Sequence, residues 1–134
     1  MDDLYREIII ERYKSPLYRG ELDPHDISFE DENPLCGDHL RIDLRIDQEG
    51  KVAEAAFSGH GCAISQASAD LLLESIIGMP VDEVKHLSKQ DVLDLLGIEL
   101  GPVRLKCALL SLKVLKGGVY GLSAGESSEH VIEE

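Results

Sequence analysis

The chain has 134 residues, of which 43% are hydrophobic but only 4% aromatic, with no Trp. That length fits a single domain whose core is built from aliphatic side chains. The 26 Asp and Glu outnumber the 13 Lys and Arg, which gives a formal net charge of −13. A charge of this sign repels phosphate backbones and argues against nucleic-acid binding.

The cysteines predict a reducing compartment. There are three, spaced 26 and then 45 residues apart, and this resembles no secreted disulfide framework. Residues 1–7 are mostly acidic or polar, where a signal peptide would be basic. No segment approaches the ~18 apolar residues of a membrane span. We therefore expect a cytoplasmic protein that does not associate with membranes.

The first half of the chain carries the patterns of one helix and three strands. In order, these are a helix from about residue 2 to 14, an edge strand at 27–29, a strand at 40–46 and a return strand at 51–58. In the strand at 40–46 apolar residues alternate with Arg41, Asp43 and Arg45, which predicts one buried face and one wet face. Turn residues at 47–50 predict that the last two strands form a hairpin.

The second half is predicted to be helical. Its helices are expected at 63–77, at 81–86, from a cap at Ser88 to residue 96, and from Pro102 until Gly117, Gly118 and Gly121 end the last one. Two apolar faces are predicted. They comprise Ile64, Ala67, Ser68, Leu71, Leu72 and Ser75 in the first helix, and Val103, Cys107, Leu110 and Val114 in the last.

These elements predict an α+β fold, in which a small antiparallel sheet of about three strands carries helices packed on one face. Residues 1–120 are predicted to form one domain. Residues 121–134 are small, polar and acidic, and are predicted to be a disordered tail.

The cysteines and one carboxylate predict a metal site. Cys36 and Asp38 are two residues apart, and in extended backbone such side chains project to the same side. Cys62 lies where a strand pattern gives way to a helical one, and Cys107 lies early in the last helix. Three thiols and a carboxylate from separate elements would make a four-coordinate site for zinc, iron or an iron–sulfur cluster.

The proposed ligands also indicate reactivity. A helix N-terminus favours the Cys62 thiolate, and Lys106 and Arg104 lie close to Cys107 in sequence. The cysteines lack the paired spacing that is typical of structural zinc sites. An oxygen ligand among thiolates indicates a labile site, which binds and releases its metal or cluster.

Simpler interpretations stand beside this one. A single cysteine is more often a small buried hydrophobe than a ligand, which applies to Cys107 if it is taken alone. His60 could approach the metal in place of Asp38, whereas His39 should point away from it. The chain could also be a zinc-stabilised interaction module without chemistry.

Three segments carry a family resemblance. They are NPLCGD at 33–38, GHGCAISQASA at 59–69 and RLKCALL at 104–110. In this order they resemble the signature segments of the IscU, SufU and NifU N-terminal domain family, which comprises iron–sulfur cluster assembly scaffolds and sulfur acceptors. The resemblance extends from the N-terminal helix to about Gly118.

The resemblance implies a function. In the family a cysteine desulfurase passes persulfide sulfur to a scaffold thiol, and a transient [2Fe–2S] cluster is built and delivered to recipient apo-proteins. The matching ligands are Cys36, Asp38, Cys62 and Cys107, with zinc as a resting or alternative occupant. Cys107 matches the sulfur acceptor, and Arg104 and Lys106 would steer the desulfurase. This describes a scaffold more than a stand-alone enzyme.

Departures from the family pattern leave two functions open. IscU-type members have His before the third cysteine, whereas Lys106 occupies that position here, as in SufU-type members. The chaperone-recognition segment Leu-Pro-Pro-Val-Lys is replaced by LGPVR at 100–104, which argues against a dedicated chaperone. The 45-residue spacing is too short for the SufU insertion. The chain resembles SufU in residues and IscU in length, so a zinc-dependent sulfurtransferase remains the alternative to a scaffold.

Overall fold

The computed structural model describes residues 2–33, 37–97 and 99–121, with the backbone alone described for residues 2–5. In this part of the chain one helix precedes three strands, and four helices follow them. The bounds are α1 Asp2–Lys14, β1 Ile27–Asn33, β2 Asp38–Ile46, β3 Val52–His60, α2 Ala63–Ile76, α3 Val81–Val84, α4 Lys89–Leu96 and α5 Pro102–Val119. The predicted α+β class is confirmed.

The three strands form one antiparallel sheet in the order β1-β2-β3. Leu40, Ile42 and Leu44 of β2 are at most 2% exposed and form the centre of its inner face. β1 continues beyond the predicted residues 27–29 and takes in three acidic residues, 30–32. Pairing with β2 along the whole length of β1 outweighs the low strand propensity of these residues.

The helices cover the inner face of the sheet. α5 packs across β1 and β2, α2 packs against β3 and α5, and α1 covers the outer side of α2. α2 is therefore buried on nearly all sides, with residues 64–73 all inside. Ser75 was predicted to share the buried face but is exposed, whereas Ile76, in the same last turn of α2, is fully buried. No helix within the described ranges is long and apolar enough to cross a membrane.

Two predictions about α5 were wrong. Val103 was assigned to the buried stripe, but it is 57% exposed and the buried face begins at Cys107. Gly117 and Gly118 do not end the helix, which continues to Val119. These glycines let α5 approach β1, because a Cβ on Gly117 would lie 2.7 Å from the Phe29 ring.

Asp43 was predicted to lie on the wet face of β2 but is 1% exposed. The connection between α1 and β1 covers it, and the Leu22 N–H donates to its Oδ2 at 3.1 Å. Ser28 Oγ donates to Oδ1 at 2.6 Å and Arg41 Nε donates to Oδ1 at 2.9 Å. Burial raises the pKa of Asp43, but these hydrogen bonds lower it by a larger amount. The pKa of Asp43 therefore lies below its usual value.

Candidate metal centre

The turn from β3 into α2 depends on two glycines. Gly59 has φ of +121°, and a Cβ there would lie 2.2 Å from the backbone oxygen of His39. A Cβ on Gly61 would lie 2.8 Å from Cγ of Asp38 and 2.6 Å from Oγ of Ser65. Any larger residue at these positions would push β3 away from the start of β2. The glycines thus place Cys62 beside Asp38.

Asp38 is the first residue of β2 and is 2% exposed. Its Oδ1 accepts a hydrogen bond from the backbone N–H of Cys62 at 3.0 Å, and its Oδ2 lies 3.4 Å from Sγ of Cys62. Cys62 is the N-cap residue of α2, where unpaired N–H groups and the helix dipole favour negative charge. The carboxylate and the thiol therefore share one helix terminus.

Cys107 comes to the same point from the second turn of α5 and is 3% exposed. Ligand atoms of Asp38, Cys62 and Cys107 all lie within 4.8 Å of one another. A tetrahedral zinc ion with bonds of ~2.0–2.3 Å separates its ligand atoms by about 3.3–3.8 Å. The donors and their spacing therefore fit zinc or iron after small side-chain movements.

The oxidation state of the thiols bears on this fit. Cys62 is a free thiol, whereas Cys107 is disulfide-bonded. Cysteines bind metals as thiolates, so Cys107 could bind a metal ion only when that disulfide is reduced. Cys36, the fourth predicted ligand, lies outside the described residues.

The predicted cations do not neutralise Asp38. Arg104 and Lys106 are exposed, in the first turns of α5. Among the ion pairs of the described residues, none joins Asp38 to an arginine, lysine or histidine. Asp38 is a buried carboxylate whose neighbours are a backbone N–H and a thiol, which leaves its charge available to a metal ion.

His60 does not take the place of Asp38. Its ring stacks on the ring of His39, with centroids 6.0 Å apart, and His60 is exposed. His39 faces away from Asp38, as the strand alternation predicted, and pairs with Glu30 at 3.0 Å. Both rings therefore lie on the opposite face of the sheet from Cys62.

Sequence reasoning missed Arg19, which helps to fix the position of the β3–α2 turn. Arg19 donates to Oε1 of Gln66 and to the backbone oxygen of Gly59, the latter at 2.9 Å. Its guanidinium also lies 5.9 Å from the centre of the Phe57 ring. Ser65 Oγ donates to the backbone oxygen of Cys62 at 3.1 Å. Only Ser65, three residues after Cys62, carries a sequence signal, that of a helix-end hydroxyl.

Residues 4–127 match the family model of the NifU-like N terminal domain. The chain belongs to this family. The IscU, SufU and NifU resemblance of the three cysteine segments is therefore confirmed.

Two relatives show how much of the chain the similarity covers. The zinc-dependent sulfurtransferase SufU of Bacillus subtilis is 35% identical, over 89% of this chain and 91% of the relative. The iron–sulfur cluster assembly scaffold protein IscU of Thermotoga maritima is also 35% identical, over 90% of this chain and 95% of the relative. The two relatives carry the names of the two functions left open by the sequence.

Solved structures agree with the fold. The crystal structure of a SufU protein from Fervidobacterium islandicum matches with a TM-score of 0.74 at 27% identity, covering 84% of this chain and 94% of that one. The predicted three-stranded sheet with helices on one face is thus the fold of this family as well as of this chain.

Proposed function

We propose that this protein is an iron–sulfur cluster assembly scaffold, which accepts sulfur from a cysteine desulfurase and delivers a [2Fe–2S] cluster to recipient apo-proteins. One observation carries the proposal: Asp38, a buried carboxylate that pairs with no cation among the described residues, has an oxygen within 4.8 Å of two cysteine sulfurs. The cluster is cargo here, held by Asp38, Cys62 and Cys107 with Cys36 as the fourth ligand.

The carboxylate suits a site that releases its contents. Oxygen is a harder and weaker donor than thiolate toward iron in a cluster, so the bond to Asp38 is the first expected to break. Cys62 N–H holds the free carboxylate through Oδ1 at 3.0 Å. The ligand would therefore stay in place between one cluster and the next.

Cys107 is the proposed sulfur acceptor. Its thiolate attacks the outer sulfur of the desulfurase persulfide; the new S–S bond forms as the old one breaks, and the donor leaves as a thiolate. This exchange needs no oxidant, although a dithiol must later reduce the transferred sulfur to sulfide. Arg104 and Lys106 lie exposed on the preceding turn, where they can steer an acidic partner surface and favour the thiolate.

A zinc-dependent sulfurtransferase is the second candidate, and Lys106 favours it. In this function zinc would be held by the same residues and would keep the thiolates reduced and ionised. The similarity to SufU of Bacillus subtilis supports this reading. Both functions place the protein beside a desulfurase in a reducing cytoplasm, where its thiols remain available.

One experiment separates the two candidates. The reduced protein is incubated anaerobically with a desulfurase, cysteine, ferrous iron and a dithiol, and is then separated by gel filtration. Visible absorption of a [2Fe–2S] cluster that elutes with the protein supports the scaffold. Faster desulfurase turnover with zinc retained and no chromophore identifies the sulfurtransferase. If neither result is obtained, the experiment excludes both the scaffold and the sulfurtransferase function.

Matched variants test whether the cluster is held by the proposed ligands. Cys62→Ser should abolish the chromophore, because a hydroxyl replaces a thiolate ligand. Asp38→Ala should slow transfer of the cluster to an apo-ferredoxin several-fold, because the labile ligand is gone. Asp82→Ala, at an aspartate whose side chain is 94% exposed, serves as the control and should behave as wild type. Equal rates of cluster transfer in the wild type, Asp38→Ala and Asp82→Ala would contradict the role given to Asp38.

A further inference from the structure

A second group of metal-binding side chains lies on the outer face of the sheet. His39 of β2 is directly opposite His60 of β3 and directly opposite Glu32 of β1. Residues directly opposite in neighbouring antiparallel strands project to the same face, with Cβ atoms ~4.5–5.5 Å apart. Two imidazoles and a carboxylate are thus side by side across three strands.

This group is separate from the thiol centre. Asp38 points into the protein, whereas His39, the next residue, points outward and has 35% of its side chain exposed. The ring contact between His39 and His60 places both on that outer face, with planes 24° apart. The two groups therefore lie on opposite sides of the same strand ends.

Glu30 determines which nitrogen of His39 is available. Its Oε2 lies 3.0 Å from Nε2 of His39, and a carboxylate can only accept a hydrogen bond. Nε2 of His39 therefore carries the proton, and in the neutral ring Nδ1 keeps its lone pair. A carboxylate that orients a histidine through its other nitrogen is the usual companion of metal-binding histidines.

We propose that His39 and His60, with Glu32 as a third ligand, form a second divalent-cation site that takes Zn²⁺ or Fe²⁺. Imidazole and carboxylate are donors that suit both ions. In the described part of the chain only the thiol centre has three ligand atoms within 4.8 Å of one another, so the outer side chains must move to bind one ion. Exposed side chains can do this by rotation alone. The net charge of −13 favours the approach of cations.

Zinc titration of the reduced, metal-free, full-length protein tests this site. Calorimetry should give two equivalents for the wild type, a tight one at the thiol centre and a weaker one outside. His39→Asn/His60→Asn should bind one equivalent, and the retained tight site would show that the variant is folded. His86→Asn, at an exposed histidine elsewhere in the chain, is the matched control and should keep two.

Glu30→Gln tests the orienting role. Loss of the carboxylate should weaken the second equivalent about tenfold and leave the first unchanged. Titration with Co²⁺ assigns the sites independently, because only the thiol centre gives intense thiolate-to-cobalt absorption, which the double histidine variant should retain. A wild type that binds one equivalent, or a double variant that keeps the second, would overturn the proposal. Neither outcome bears on the scaffold function, which is tested through the thiols.

Discussion

β2 buries two aspartates, and their surroundings differ sharply. Asp43 is 1% exposed and accepts hydrogen bonds from Ser28, Arg41 and the Leu22 N–H. Asp38 is 2% exposed and is bonded to the backbone N–H and the thiol of Cys62, without an ion pair to any described cation.

The difference predicts a structural role for Asp43 and a metal-binding role for Asp38. The charge of Asp43 is satisfied by the protein, so this residue can stabilise the fold by itself. Burying a charge without a cationic partner is costly, so we expect the stability of the Asp38 carboxylate to depend on a bound metal ion. Asp70, buried in α2, belongs with Asp43, because Arg12 pairs with it at 2.9 Å and Tyr18 N–H donates to it at 2.8 Å.

The largest effect is expected from Asp43→Asn. The substitution leaves buried donors poorly matched and removes the partner of Arg41, so the free energy of unfolding should fall by about 2 kcal/mol. Asp38→Asn should stay within about 0.5 kcal/mol of wild type in the metal-free protein, because it keeps an oxygen acceptor for Cys62 N–H and removes an unneutralised charge. Urea denaturation at pH 7 measures both. Equal losses would remove the distinction between the two aspartates.

Metal affinity should show the opposite order. Asp38→Asn replaces an anionic ligand by a neutral one, and zinc affinity should drop at least about tenfold, roughly 1.4 kcal/mol. Asp43→Asn should bind zinc as the wild type does, since its carboxylate contacts neither thiol. Competition with a chromophoric chelator gives both constants. A larger loss in Asp43→Asn would mean that the site is coupled to the outer face of β2.

Asp43 should contribute to the loss of folding stability at low pH. Burial raises the pKa of this carboxyl, but the hydrogen bonds lower it more, so the folded pKa lies below the unfolded value of about 3.9. The stabilisation is therefore present above that value and is lost as pH falls through the folded pKa. The stability gap between wild type and Asp43→Asn should narrow from pH 6 to pH 2.5 in denaturant titrations. A constant gap would contradict the lowered pKa.

The smallest effect is expected at Lys106. It is exposed and forms no ion pair with Asp38 in the described structure, so its charge should act on the approaching desulfurase. Lys106→Ala should slow sulfur acceptance a few-fold at low salt, and the difference should vanish at about 0.5 M salt through screening. Lys89→Ala, at an exposed lysine of α4, is the control. A salt-independent loss would instead assign Lys106 to the chemistry.

Local patterns predicted most of the elements and the proposed ligands. The alternation along residues 40–46 gave β2, and Ser88 gave α4, whose capping box with Asp91 is present. Asp38, Cys62 and Cys107 were chosen as ligands because of their neighbours in sequence, and the structure brings these three together. The role of each in binding and sulfur transfer remains a prediction.

The predictions that were wrong concern contacts between distant segments. Asp43 appeared to belong to a wet face because alternation does not reveal that residues 20–25 cross over it. Gly117 appeared to end α5, although its missing side chain makes room for Phe29 of β1. His60 appeared to compete with Asp38 until cross-strand pairing placed it against His39.

The sequence by itself determined the periodicity of the elements, the candidate ligands and the family, because these depend on residue types at short spacing. Only the tertiary structure decided which buried carboxylate pairs with an arginine and which has no cationic partner among the described residues. Whether an arginine lies near an aspartate depends on segments that are far apart along the chain, and no local pattern carries that distance.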